Sequence, residues 1–342
     1  MIFLLLSLII IIVILTLIKI YYINGPTIKN KHSMEGKFII ITGSSSGIGK
    51  YTAQELIYQN STVIFAARNE KKVLKIISEF PDNLKKNAIY INLDLCSFNS
   101  IQIFCNKIIS NFPKIDILIN NAGNQINKFN ITENCYDSNI QGNFLGVALL
   151  TFLLSEHLND KSKIIFVSSK SHFFADLNKE NKLNNLKYIK ENYYNNFKNN
   201  RILYGNSKLL IMFFTSYLVD YFEELKLNVK IVSLHPGRVN TEFIDKLLGN
   251  FKLVYFLMKF VFFPFRLYFL KNIKQGAQTQ LYLSYIDYNE IVNGGYYVDC
   301  KLANVSNKVK DNELKKEYIN WTIENLKSNV KNNKIINSLK LI

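Results

Sequence analysis

The sequence contains few of the residues that build metal centres or disulfide-stabilised domains. Its 342 residues include only four cysteines and four histidines. No Cys-x-x-Cys or His-x-x-x-His spacing occurs among them; the cysteines are Cys96, Cys105, Cys135 and Cys300. These absences argue against the common zinc motifs and against a secreted disulfide framework. We therefore expect free thiols in a reducing compartment and no bound metal.

Acidic residues are scarce relative to basic ones. The chain has 26 Asp and Glu against 42 Lys and Arg, which gives a net charge of +16. A surplus of this size can indicate nucleic-acid binding. The sequence lacks a basic cluster with interleaved aromatic residues, however, and its lysines are spread through Asn-rich stretches. We interpret the charge as general surface charge with some attraction to anionic membranes, and we expect no nucleic-acid partner.

The N-terminal stretch lacks charge altogether until Lys19. Residues 2–18 are almost wholly apolar, and extended to residue 23 they could span a bilayer of about 30 Å. A cleaved signal peptide would have a basic start and a small-residue cleavage site, and neither is present. We predict an uncleaved anchor over residues 1–23 and a linker over 24–36. Positive charge follows the anchor, which places the catalytic domain of a single-pass protein in the cytosol. The anchor suits the endoplasmic reticulum, a lipid droplet or another membrane, and we expect the endoplasmic reticulum.

Residues 37–42 form an apolar, β-branched run that predicts a buried parallel strand. A glycine turn follows with the spacing Gly-x-x-x-Gly-x-Gly, and then a helical pattern begins. Glycines at such a turn let the backbone approach a pyrophosphate, which sits at the helix N-terminus where amides are free. We predict dinucleotide contacts at Gly43, Ser45, Ser46, Gly47, Ile48 and Gly49.

The second strand, residues 62–67, ends at Arg68. An NAD site would place an acidic residue near this point to bind the ribose 2′-hydroxyl, and none is present. Arg68 could instead pair with a 2′-phosphate, and Lys50 after the glycine turn adds charge. This favours NADP(H) over NAD(H), although a solvated arginine at a strand end remains the alternative.

Further apolar runs deliver polar groups at their carboxyl ends, where α/β sheets bind ligands. The predicted strands are 88–95, 115–120, 163–169, 229–235 and 295–299. The residues at their ends are Asp94 and Leu95, then Asn121, Ala122 and Gly123, then Ser168 and Ser169, and lastly Pro236 and Gly237. The predicted helices are 131–158 with Asn139, one from Tyr204 to about residue 224, 275–285, and a last helix with Trp321. The alternation predicts a Rossmann-type, doubly wound parallel α/β sheet in a single domain, residues 37–327, before a loosely ordered tail, 328–342.

Tyr204 and Lys208 are four residues apart, so a helix would place them on one face. A free tyrosine has a pKa of about 10, and a nearby ammonium would lower that pKa towards the range of an acid–base catalyst. Such a pair is common by chance and usually lies on a solvated helix face. The pair becomes evidence for a catalytic site only together with the glycine turn, the Asn120 to Gly123 run and the serine upstream, which occur in the right order.

Taken together, these motifs resemble those of the short-chain dehydrogenase/reductase superfamily, over about residues 37–325. The matching features are Thr42-Gly43-x-x-x-Gly47-Ile48-Gly49, Asp94, Asn120 to Gly123, Asn139, Ser169 and Tyr204-x-x-x-Lys208. More narrowly the sequence is similar to the retinol dehydrogenase-like branch, in the stretches 139–145, 176–178, 204–209, 235–241, 275–279 and 297–301, and in its N-terminal anchor.

The resemblance implies a role for each matching residue. Tyr204 would be the general acid/base, and Lys208 would lower its pKa and bind the nicotinamide ribose. Ser169 would hydrogen-bond the reacting oxygen, with Ser168 as the alternative. Asn139 would hold a water in a proton relay. The remaining cofactor contacts implied are Asp94 with the adenine and Asn121, Ala122 and Gly123 along the cofactor.

Several stretches differ from the retinol dehydrogenase-like branch, or do not reveal the substrate pocket. Gln141 and Asn143 stand where the branch often has other residues, and residues 60–61 replace a usual glycine. The insertion at 176–200 is rich in Asn, Lys and Tyr. Residues 247–270 fit an amphipathic element against the membrane, a cover over an apolar substrate, or simple core packing.

The hypothesis is a membrane-anchored oxidoreductase that uses NADP(H) and acts on an apolar alcohol or carbonyl compound. The substrate would be a retinoid, a steroid or a fatty aldehyde. The alternative is a catalytically silent nucleotide-binding scaffold of the same fold. A homodimer would be common for the superfamily.

Overall fold

The computed structural model describes residues 2–29, 32–124, 130–177, 197–240, 268–331 and 333–342. Within these residues, eight strands form one sheet in the order β3-β2-β1-β4-β5-β6-β7-β8. Strands β1 to β7 run parallel, and β8 pairs antiparallel with β7. The strands are β1 (Phe38–Thr42), β2 (Thr62–Ala67), β3 (Ala88–Asn92), β4 (Ile115–Asn120), β5 (Leu158–Val167), β6 (Val229–His235), β7 (Tyr296–Val298) and β8 (Lys301–Leu302).

Helices cover both faces of the sheet. In chain order they are α1 (Ile2–Ile18), α2 (Gly47–Tyr58), α3 (Glu70–Ser78), α4 (Asp82–Lys85), α5 (Phe98–Asn111), α6 (Ser138–Ile140), α7 (Gly146–Leu154), α8 (Phe197–Glu224), α9 (Ile273–Tyr285), α10 (Asn312–Asn329) and α11 (Lys334–Ser338). The alternation of strands and helices confirms the predicted Rossmann-like α/β fold with a parallel sheet. The short antiparallel strand β8 at the sheet edge was not predicted.

The central strands are buried on both faces because helices pack above and below them. All five residues of β1 are buried, and its side chains alternate between two core layers. Ile40 points to the layer that holds α5, α7, α8 and α10, whereas Ile39 and Ile41 point to the layer that holds α2, α3 and α9. This two-residue alternation explains why the strand reads as a continuous apolar run.

The apolar helix predicted over residues 131–158 is shorter and irregular in the structure. It begins only at Ser138, where the Asp137 carboxylate accepts the N–H groups of Asn139 and Ile140. A π-helical turn, Gln141–Leu145, then separates α6 from α7. The last predicted residue, 158, already belongs to β5. A side-chain cap and the start of a strand therefore set these boundaries, and apolar periodicity alone does not report either one.

The prediction of a loosely ordered tail from residue 328 is wrong. Helix α10 continues to Asn329, and α11 follows within the tail. Ile336 is fully buried and Leu339 is 1% exposed, and both belong to the core layer of α7 and α10. Burial of a few apolar side chains orders this Asn- and Lys-rich segment, whose composition alone predicts disorder.

The N-terminal helix α1 continues into a π-helical turn, Lys19–Ile23. Most of its described large apolar side chains are exposed, including Phe3 and the whole run from residue 9 to residue 14. Among the described residues, one helix is long and apolar enough to cross a membrane, Arg201–Glu224 within α8, and it is mostly buried in the core. Residues Ile9–Ile23 form a shorter apolar helix.

Two stretches of the sequence analysis fall largely outside the described residues. These are most of the insertion at 176–200 and most of the aromatic stretch at 247–270.

Candidate active site

The glycine turn after β1 packs closely against the loop after β4. Gly43 and Gly47 have φ values of +67° and +57°, a region that glycine adopts readily. A Cβ at Gly43 would lie 2.9 Å from the Ala122 Cα, and one at Gly49 would lie 2.4 Å from the Asn121 Nδ2. Only glycine therefore fits at Gly43 and Gly49, and the N-terminal amides of α2 stay open beside the turn.

Asn121 holds this arrangement together through its side chain. Its Nδ2 donates to the Thr42 carbonyl at 2.8 Å, and its Oδ1 accepts from the Gln280 Nε2 at 3.0 Å. Gln280 lies on α9, and its Oε1 accepts from the Thr52 hydroxyl on α2 at 3.1 Å. The Ala122 N–H donates to the Thr42 hydroxyl at 2.9 Å. The predicted residue Asn121 thus ties β1, α2 and α9 together at the edge of the sheet.

One cleft of about 660 Å³ opens along the carboxyl ends of the strands. It brings together every predicted cofactor and substrate residue, namely Gly43, Ser45, Ser46, Gly47, Ile48, Gly49, Arg68, Asp94, Leu95, Asn121, Ala122, Gly123, Ser169, Tyr204, Lys208, Pro236 and Gly237. Strands that are far apart in the sequence deliver these residues to one edge because the sheet is parallel. The cleft therefore has the shape and the backbone cradle that a dinucleotide needs.

The end of the cleft near β2 is charged. The Arg68 side chain is 65% exposed, and its Nη1 lies 4.0 Å from the Asp94 Oδ2. The Asp94 Oδ1 accepts from the Cys96 N–H at 2.9 Å, which fixes the carboxylate. Lys72 also lines the cleft, at the start of α3 where Asn69 caps the helix. Lys72 was missed because a helix-surface lysine carries no signal in the sequence.

The expected contribution of Lys50 is wrong. Its Nζ lies 3.8 Å from the Glu79 carboxylate on the next helix, and the residue does not line the cleft. Arg68 and Lys72 therefore supply the positive charge at this end.

Tyr204 and Lys208 lie one turn apart on α8, as the spacing predicted. The Lys208 Nζ is buried, donates to the Val167 carbonyl at 2.8 Å and lies 5.6 Å from the centre of the Tyr204 ring. Burial lowers the pKa of Lys208 to about 8. Burial also raises the pKa of Tyr204 to about 12, against the lowering effect of a hydrogen bond with Ser169. The predicted fall of the Tyr204 pKa is therefore wrong in this structure, because desolvation outweighs the lowering effect of the Ser169 hydrogen bond.

The two serines after β5 have different partners. The Ser168 hydroxyl is buried and donates to the Lys208 carbonyl at 3.2 Å. The Ser169 hydroxyl is hydrogen-bonded to Tyr204 and lies 3.1 Å from the Ser171 hydroxyl. Both serines line the cleft, but Ser169 is the one hydrogen-bonded to the Tyr204 phenol, whereas Ser168 secures α8 to the end of β5.

A buried histidine that the sequence analysis missed supports Ser169. The Nδ1 of His172 lies 2.6 Å from the Ser169 carbonyl, and its Nε2 lies 3.2 Å from the Ser306 backbone nitrogen. Because that backbone N–H can only donate, Nε2 accepts, and Nδ1 carries the proton that is donated to Ser169. Burial lowers the pKa of His172, which keeps the ring neutral. Nothing in the sequence links residues 172 and 306.

The structure does not bring Asn139 to the cleft. Its backbone N–H donates to the Asp137 carboxylate at 2.9 Å, and its side chain is hydrogen-bonded to the same carboxylate. Asn143, from the π-helical turn, lines the cleft instead. The Asn143 amide bonds both the N–H and the carbonyl of Asn124, at 2.8 and 2.7 Å, and so holds the loop after β4.

Comparison with known proteins gives a family by sequence and a shared fold by structure. A family model described as short chain dehydrogenase matches residues 37–177. The chain is 31% identical over 306 residues to human retinol dehydrogenase 14, covering 85% of each. It is 28% identical over 327 residues to mouse retinol dehydrogenase 12, covering 92% of this chain and 97% of that protein.

Solved structures share the fold. An uncharacterized protein from Mycobacterium paratuberculosis superposes with a TM-score of 0.68 at 23% identity, covering 89% of this chain and 98% of that one. A short chain dehydrogenase from Burkholderia cenocepacia, solved in complex with NADP, superposes with a TM-score of 0.56 at 17% identity, covering 78% and 96%.

Proposed function

Because this chain belongs to the short-chain dehydrogenase/reductase family, in its retinol dehydrogenase-like branch, we propose that it is a membrane-anchored, NADP(H)-dependent enzyme for apolar substrates. Membership of the family makes it an oxidoreductase that acts on CH–OH and C=O groups and binds a nicotinamide nucleotide. The observation that carries the finer proposal is the meeting of Ser169, Tyr204 and Lys208 in the cleft that starts at the glycine turn.

Three groups of residues would hold the nucleotide. The glycine turn and the start of α2 would bind the pyrophosphate, since no side chain fits at Gly43 or Gly49. Asp94 and Leu95 lie where the adenine would rest, and Pro236 and Gly237 line the far wall. Arg68 and Lys72 offer two cations to a 2′-phosphate, whereas an NAD site would place a carboxylate at the end of β2. These charges support NADP(H).

When bound, the nicotinamide supplies or accepts the hydride. The chain's own residues handle the proton. Tyr204 keeps its proton at neutral pH, because its pKa is raised to about 12. A protonated phenol can donate to a carbonyl oxygen, which is the proton transfer that reduction requires. Ser169, already hydrogen-bonded to Tyr204, would hold the substrate oxygen beside that phenol, and Lys208 would bind the nicotinamide ribose.

An apolar substrate is supported by the relatives and by the N-terminal helix. The curated relatives are named retinol dehydrogenases, so retinaldehyde is the first probe, with a steroid ketone and a fatty aldehyde beside it. Helix α1 exposes most of its described apolar side chains, as a helix in contact with lipid would. We propose that it anchors the chain as a single pass, with the catalytic domain in the cytosol and the endoplasmic reticulum as the membrane.

The cofactor proposal is tested by fluorescence titration of the full-length protein in detergent with NADPH and with NADH. We expect tighter binding of NADPH, and we expect Arg68→Ala to weaken NADPH binding by about tenfold while leaving NADH binding nearly unchanged. Lys71→Ala is the matched control, since Lys71 is an exposed cation on α3 that does not line the cleft. Preferred binding of NADH would overturn the role of Arg68.

A nucleotide-binding scaffold without activity would give the same titration. Turnover of a carbonyl substrate with NADPH distinguishes the two, because the scaffold would bind NADPH without oxidising it.

A further inference from the structure

The described part of the segment predicted as a linker, residues 24–29 and 32–36, is packed onto the catalytic domain. Just before it, the Lys19 ammonium donates to the Leu270 carbonyl at 2.8 Å. In its middle, the Ile28 N–H donates to the Gln278 Oε1 on α9 at 2.8 Å. At its end, Met34 is buried, and its N–H donates to the Gln59 carbonyl at 2.7 Å. One contact just before the segment and two within it make it a fixed connection, unlike a flexible tether.

Gly25 is the tightest point of this connection. Its φ is +68°, and a Cβ there would lie 2.8 Å from the Lys271 Nζ and 2.9 Å from the Asp299 Oδ1. Lys271 and Asp299 form an ion pair in which the Lys271 side chain is buried. The same lysine packs on Gly237, where a Cβ would lie 2.8 Å from the Lys271 Cδ. Lys271 therefore contacts both the N-terminal connection and a residue that lines the cleft.

The cleft wall lies close to the point where α1 ends. Helix α1 has 17 residues, and at a rise of roughly 1.5 Å per residue it covers about 26 Å, most of a bilayer's hydrocarbon core. Lys19 then marks the membrane surface, and the exposed Tyr21 and Tyr22 follow, as is typical of an interface. Leu270, which accepts the Lys19 hydrogen bond, lines the cleft. A single hydrogen bond thus links Lys19, at the level of the membrane surface, to Leu270 in the wall of the cleft.

We infer that this fixed connection holds the rim of the cleft against the lipid surface, so that substrate dissolved in the bilayer enters the cleft directly. The inference rests on the proposed function and adds the route by which the substrate arrives. A substrate that partitions into lipid reaches a far higher local concentration there than in water. A domain on a loose tether would gain far less from that concentration, because its cleft would face every direction.

The test compares two aldehydes with the full-length protein in phosphatidylcholine vesicles and NADPH. Retinaldehyde partitions into the bilayer, whereas butanal dissolves in water. Gly25→Val places a side chain against the Lys271–Asp299 pair and should release the connection. We expect it to lower kcat/KM for retinaldehyde by about tenfold and for butanal by less than about twofold.

Gly36→Val is the matched control. Gly36 also has a positive φ, +75°, but a Cβ there would meet nothing within 4 Å. It imposes a similar backbone strain at the end of the same segment but does not clash with Lys271, Asp299 or any other contact, so the ratio of the two kcat/KM values should stay at the wild-type value. Lys19→Met gives a second, milder release that keeps the helix apolar, and it should change the ratio in the direction of Gly25→Val.

If the ratio of kcat/KM for retinaldehyde to kcat/KM for butanal stays at the wild-type value in both Gly25→Val and Lys19→Met, the inference is overturned. The proposed function is left intact by that result. A wild-type protein that binds NADPH but reduces neither aldehyde would overturn the proposed function and this inference with it.

Discussion

At the residue scale, burial favours the neutral form of both groups of the Tyr204 motif, yet it leaves them in different charge states near pH 7. Burial raises the pKa of Tyr204 to about 12 and lowers the pKa of Lys208 to about 8. Near pH 7 the phenol is neutral and can give a proton, and the lysine is still charged. An ammonium near the phenol stabilises the negative charge that develops as the proton leaves. Lys208 is therefore the group whose titration should limit reduction at high pH.

The pH dependence of carbonyl reduction tests this assignment. Because the pKa of Lys208 is lowered, its charge is present below pH about 8 and is lost as the pH rises through that value. We expect kcat/KM for reduction to fall above pH about 8. Lys208→Arg keeps a positive charge to pH values above about 12, so its profile should lose that falling limb although its maximum is lower.

Lys71→Arg is the control, and its kcat/KM should fall above pH about 8 as it does in the wild type. A falling limb at the same pH in Lys208→Arg would assign the titration to another group.

The sequence predicted the cleft residues well wherever they follow a strand. A parallel sheet collects the carboxyl ends of its strands, so Asp94, Ser169 and Gly237 meet for reasons that the sequence reveals. It could not predict His172 or Gln280, because their roles arise from contacts with residues more than a hundred positions away. Asn139 lies outside the cleft because a cap at Asp137 and a π-helical turn set the rotation of this helix.

At the scale of the elements, the C-terminal segment shows how burial overrides composition. Residues 328–342 are rich in Asn and Lys, which is typical of disorder. Two apolar positions suffice to dock α11, and helices this short gain their stability from such packing. The sequence did not reveal this because the partners of Ile336 lie on α7 and α10.

The docking of α11 is tested by substitution of neighbouring isoleucines. Ile336 is fully buried, so Ile336→Ala should lower the free energy of unfolding by about 2–4 kcal/mol through lost transfer energy and a cavity. Ile335 is only partly buried, so Ile335→Ala should cost about 1 kcal/mol or less. Chemical denaturation measures both variants. Equal, near-zero effects would mean that the tail is loose.

At the scale of the whole molecule, the alternation of strands and helices was enough to predict the doubly wound sheet. The buried faces of the strands follow from that alternation, whereas the order of the strands is known only from the structure. The antiparallel strand β8 was missed because it has two exposed residues and no apolar pattern. The packing of residues 24–36 was missed because a glycine and a proline in a polar stretch are also typical of a linker.

The account rests on one claim about the whole protein, that NADPH-dependent carbonyl reduction passes through the Tyr204 phenol. The direct measurement is the loss of NADPH absorbance by full-length protein in vesicles with retinaldehyde, a steroid ketone or a fatty aldehyde. Wild type and Tyr204→Phe are compared after NADPH titration has shown equal binding. We predict turnover of at least one substrate by wild type and a loss of about a thousandfold in Tyr204→Phe. Equal turnover by the two proteins, or NADPH binding without any turnover, would contradict the account.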